Sequence, residues 1–106
     1  MARKKVMLTA SENCKLKELG ARIKRARLRR NMSVERLSEK AGIGESTFYA
    51  IERGESTVSI GAYVAVLMVL GIDSDIDAIA IDEDAKKQLY EQNLVKRKRA
   101  SRPSTE

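Results

Sequence analysis

Lysine and arginine are the residues whose number and placement point most directly to a chemistry. Residues 1–30 carry Arg3, Lys4, Lys5, Lys15, Lys17, Arg22, Lys24, Arg25, Arg27, Arg29 and Arg30 against only Glu12 and Glu18. A second cluster, Lys96, Arg97, Lys98, Arg99 and Arg102, lies near the other end. Each phosphate neutralised by such a cation releases a condensed counterion, so basic clusters beside a recognition motif read as the electrostatic footprint of a polyanion binder. Between them stand Asp73, Asp75, Asp77, Asp82, Glu83 and Asp84, and this acidic shoulder reads as solubilising charge rather than a metal site. With no histidine and a single cysteine, the chain can build no internal disulfide, thiolate–imidazole pair, Ser-His-Asp triad or zinc site of the usual ligand type. No catalytic residue, metal or cofactor is therefore expected, and the chain is read as non-enzymatic. Cys14 is expected to be a small, partly buried residue.

The stretch Ser33–Gly54, SVERLSEKAGIGESTFYAIERG, has the spacing of two short helices crossing at roughly a right angle. Such a crossing needs a residue without a side chain in the turn, Gly42, and a small residue where the helices touch, Ser38. It also needs apolar anchors, supplied by Leu37, Ile43, Phe48 and Ile51.

These residues must be positioned by an all-α framework, since 106 residues with few aromatics and one proline suit a single aliphatic helical core. Thr9 and Glu12 have capping-box spacing, opening a helix to about Arg30 whose stripe Leu16, Leu19, Ile23 and Ala26 faces the core. Leu28 falls off that stripe, either as a singly exposed leucine or as a contact for a partner. Ser33 caps a second helix ending near Ala41, and a third runs from Glu45 to Arg53 before Gly54. Ser59 caps Ile60–Leu70, apolar almost all round and expected to be the most buried element; Ser74 caps a brief fifth helix. A last helix is expected from about Glu83 to Lys98.

Three segments, LGARIKRAR (Leu19–Arg27), LSEKAGI (Leu37–Ile43) and IERG (Ile51–Gly54), resemble the XRE family of helix-turn-helix regulators, which includes phage repressors and many antitoxins. The resemblance implies a five-helix, phage-repressor-like domain in which Arg27 forms an ion pair with Glu52, fastening the first helix to the third. It also implies that the third helix enters the major groove of double-stranded DNA, with Glu45, Ser46, Tyr49 and Ala50 at base edges. Thr47 would reach phosphate or pack beneath, and Arg36, Arg53, Ser56 and Thr57 would contact the backbone. Three positions depart from the family pattern: Gly44 replaces a capping residue, Val34 a glutamine and Phe48 a smaller aliphatic. Glu45 then has two readings, acceptor from cytosine N4 or compensation for an uncapped helix start.

The expected organisation is a basic arm over 1–8, a DNA-binding domain over 9–81, and a C-terminal helix with a basic tail over 82–106. Lys96, Arg97, Lys98 and Arg99 are expected to clamp the DNA backbone. A homodimer on a palindromic operator is expected, with Tyr63, Val64, Leu67, Ile72 and Ile76 at its interface, because a lone helix in the groove reads only a few base pairs. Val58–Leu89 with the basic tail resembles HipB-type antitoxins, which implies a HipA-type kinase toxin as partner; a stand-alone regulator is the alternative. No segment approaches the ~20 apolar residues of a membrane span and no signal peptide is evident, so a cytoplasmic, nucleoid-associated protein with no membrane partner is expected.

Overall fold

The computed structural model describes the backbone of residues 6–100, and the side chains of that span apart from 85, 86 and 94–100. Its elements are α1 (Ala10–Arg29), α2 (Val34–Ala41), α3 (Glu45–Glu52), α4 (Ile60–Leu70), a 3-10 helix (Asp73–Ala78) and α5 (Glu83–Ala100). Among the described residues there is no strand, and no helix is long and apolar enough to cross a membrane.

Local chemistry sets the helix starts. Thr9 and Glu12 form a reciprocal capping box, with the Thr9 amide donating to Glu12 at 2.8 Å and the Glu12 amide to Thr9 Oγ1 at 3.1 Å. Ser33 and Ser59 accept from the amides of Arg36 and Ala62. Left-handed Gly42 and Gly71 end α2 and α4. At the end of α1 the same left-handed turn is taken by Asn31 at φ 53°, one of the few side chains that tolerates it.

Ile23, Leu37, Phe48, Ile51 and Val66 are wholly buried, and Tyr63, Leu67 and Leu70 complete the core. Val34 packs against this cluster, which gives the valine at that position a structural reason. Two expectations need correction. Cys14 is exposed, because it lies outside the Leu16–Ile23 stripe of α1. Ser74 caps nothing: the 3-10 helix starts one residue earlier with no side-chain cap. α4 buries Tyr63, Val66, Leu67 and Leu70, while Ile60 and Met68 remain 70% and 58% exposed. One stripe of it meets the core, and nothing in the described fold covers the other.

Two glycines let α1 and the end of α3 approach backbone to backbone. A Cβ on Gly20 would lie 2.5 Å from the Glu52 carbonyl oxygen and 2.6 Å from that of Ile51. Gly54, at φ 73°, sits in backbone contact with Leu16 and Lys17. Both obstacles are main chain and cannot rotate away. Helix propensity alone favours alanine over glycine by up to about 1 kcal/mol. Gly61→Ala, with only Ser59 Oγ at 3.9 Å, should therefore gain stability. Gly20→Ala should instead lose roughly 1–3 kcal/mol through overpacking. Urea unfolding of both variants checks the opposite signs.

Candidate nucleic-acid interface

The second and third helices form a helix-turn-helix unit through small residues at their junction. Ser38 is 2% exposed and its hydroxyl donates back to the Glu35 carbonyl at 3.1 Å, so the crossing buries no unsatisfied polar group. The amides of Gly42 and Ile43 donate to Glu39 and Ser38, closing the turn before Gly44 starts α3 without a side-chain cap. Glu45 is the one acidic residue in that first turn.

One face of α3, Phe48 and Ile51, is wholly buried. On the other, Glu45 and Ser46 are exposed and Tyr49 is 48% exposed. Ala50 keeps only 8% of its surface, and Thr47 is half-buried. Ser46, Thr47, Ala50, Arg53 and Thr57 nonetheless share one shallow groove with Val58 and Ser59. Ser56 joins Arg53 and Thr57 around an adjoining groove, together with Asn13 and Lys17 of α1. Those two were missed in the sequence, where nothing in the spacing links the start of α1 to the loop after α3. Arg36 is exposed on α2 and lines neither groove. Lys96, Arg97, Lys98 and Arg99 lie outside the described side chains.

Arg27 and Glu52 hold this face in place. Arg27 Nε donates to Glu52 Oε2 at 2.8 Å and Nη2 to Oε1 at 3.3 Å, while Nη1 donates to the Met32 carbonyl at 3.0 Å. The guanidinium carbon also lies 5.9 Å from the centre of the Phe48 ring. With side-chain exposures of 10% and 7%, neither charge has bulk water as an alternative partner. One side chain thus ties α1 to α3 and to the turn before α2.

The loop after α3 is equally constrained. The Glu55 amide donates to the Ala50 carbonyl at 3.0 Å, and the Tyr63 hydroxyl donates to the Glu55 carbonyl at 2.9 Å. Burial, and secondarily the Glu55 carboxylate, raises the Tyr63 hydroxyl above its ordinary range, so the pH at which this donor would be lost moves further above neutrality. The Glu55 side chain turns to Arg53, whose Nε and Nη2 both lie 2.6 Å from Oε2. Glu55 was not singled out in the sequence, where it reads as one more surface charge.

Tyr63 and Leu67, expected at an interface between copies, are core residues of the protomer, whereas Val64, Ile72 and Ile76 are half-buried. Tyr63, Leu67 and Ile76 also border an apolar groove completed by Leu16, Leu19, Ile60 and Ile79. Among the described residues no group of histidine, cysteine or carboxylate side chains is placed to hold a metal ion.

Breaking the Arg27–Glu52 pair strands a buried charge. Arg27→Met alone is expected to lower stability by roughly 3–5 kcal/mol, and adding Glu52→Leu should recover most of that loss. Denaturant melts of the two variants test this. Equal loss in both would mean that the Met32 carbonyl bond, rather than the pair, is what matters.

The helix-turn-helix domain family matches residues 18–78, from the middle of α1 through the 3-10 helix. No curated protein matches the chain closely enough to count as a relative. The matched span contains α2, α3, the Arg27–Glu52 pair and the approach of Gly20 to α3, and covers more than half of the sequence. The chain therefore belongs to the helix-turn-helix domain family of DNA-binding regulators.

Proposed function

We propose that this protein is a sequence-specific transcriptional repressor that binds a palindromic operator as a two-fold homodimer. The observation that carries the reading is the two-sidedness of α3: Phe48 and Ile51 anchor it wholly inside, while Glu45, Ser46 and Tyr49 remain exposed beside a groove. In this reading Ser46 and Tyr49 meet base edges, the Ala50 methyl meets a thymine methyl, and Thr47, Arg53, Ser56 and Thr57 meet phosphates. Arg36 and the Lys96–Arg99 tail add backbone contacts.

The pairing of this regulator with a HipA-type kinase, as its antitoxin and autoregulator, rests on the resemblance of Val58–Leu89 and the basic tail to HipB-type antitoxins. Copurification with the product of a neighbouring kinase-like gene supports it; a chain without such a neighbour acts alone.

Two outcomes are expected. Glu45 places a negative charge on a surface meant for phosphates, and acceptance of a hydrogen bond from cytosine N4 accounts for it. Glu45→Gln should then relax the preference at one base pair per half-site by roughly 1–3 kcal/mol, with non-specific affinity equal or higher. Selection from a randomised operator library reads this directly. An unchanged base profile with a lowered melting temperature assigns Glu45 instead to the uncapped amides of α3. The second outcome concerns assembly. Light scattering should give a dimer at micromolar concentration, and a monomer with unimpaired operator affinity would contradict the two-fold reading.

A further inference from the structure

Arg53 already has an anion. Its guanidinium meets the Glu55 carboxylate through two nitrogens at 2.6 Å, on a part of the surface that borders both grooves beside α3. The pair is exposed, with 61% of the Arg53 side chain and 41% of the Glu55 side chain open to solvent. Its geometry is nonetheless fixed from below. The Arg53 amide donates to the Tyr49 carbonyl, and the Glu55 backbone is bonded on one side to Ala50 and on the other to the Tyr63 hydroxyl. Between them Gly54 takes the left-handed conformation against the main chain of α1. None of these bonds uses the Glu55 side chain. The carboxylate is therefore held within reach of Arg53 by backbone bonds that would survive its neutralisation.

We infer that Glu55 is a built-in competitor of the DNA backbone for Arg53, a positioning residue that sets the strength and salt dependence of sequence-independent binding; this rests on the DNA-binding reading above. Free Arg53 meeting a phosphate displaces one condensed counterion. Arg53 released from Glu55 leaves a carboxylate beside the phosphates, and that carboxylate draws a cation back. The exchange thus yields little net counterion release. The free energy is modest, because an exposed ion pair changes an equilibrium constant by at most about fivefold.

The test uses the full chain and a mixed-sequence DNA duplex, with binding measured across a salt series for wild type, Glu55→Gln, Arg53→Gln and the double variant. Glu55→Gln should bind about two- to fivefold tighter at near-physiological salt. Its log–log salt slope should be steeper by about 0.9, the contribution of one further phosphate contact. In the Arg53→Gln background the same substitution should change neither quantity, since the coupling runs through Arg53. An unchanged slope in Glu55→Gln overturns the inference. So does an equal gain in the Arg53→Gln background, which would make Glu55 a source of general repulsion. Wild-type protein that binds the duplex at no salt concentration overturns the DNA-binding reading itself, an outcome visible before any variant is compared.

Discussion

A buried guanidinium must be surrounded on all sides, and Arg27 meets that demand by joining three parts of the chain. Its nitrogens reach Glu52 at the end of α3 and the Met32 carbonyl before α2, and its guanidinium carbon lies over the Phe48 ring. A hydrophobic contact of similar area could slide, because dispersion has little direction. A forked donor with three named acceptors cannot, so the angle between α1 and α3 is fixed by bond geometry. The backbone contacts at Gly20 and Gly54 act with it, setting the distance while Arg27 sets the rotation.

The outer face inherits this rigidity. Arg53 and the loop that follows begin where α3 touches α1, and the groove beside Ser46 and Ala50 is walled by α3 and that loop. Charge on this face is mixed. Glu45 opens α3 beside Glu35 and Glu39 of α2, whereas Glu55, in the loop after α3, lies with Lys17, Arg53, Ser56 and Thr57.

What could be seen in the sequence was local or periodic. The capping residues Thr9, Ser33 and Ser59, the left-handed Gly42 and Gly71, and the stripe through Ile23 each announce themselves within a few residues. Phe48 and Ile51 mark the inner face of α3 in the same way, and the outer face follows as their complement. What escaped depends on contacts across the chain. Gly20 looks like an ordinary weak point in a helix until the Glu52 carbonyl is placed above it. Asn13 and Lys17 approach the loop only because α1 crosses α3, and Ser74 resembles a cap although the chain begins its turn one residue sooner. In α4, composition marked an apolar, buried helix but carried no count of neighbours, and Ile60 and Met68 remain exposed in the described fold.

The two-sidedness of α3 also bears on how such a protein can diversify. Glu45, Ser46 and Tyr49 are exposed, and no side-chain hydrogen bond of theirs secures the fold among the described residues. Ala50 and Thr47, more enclosed, leave less room for exchange. Descendants of this chain can therefore drift through many combinations at three positions while Gly20, Arg27, Phe48 and Glu52 stay fixed. A duplicated copy would need no compensating change in the interior before its outer face diverged.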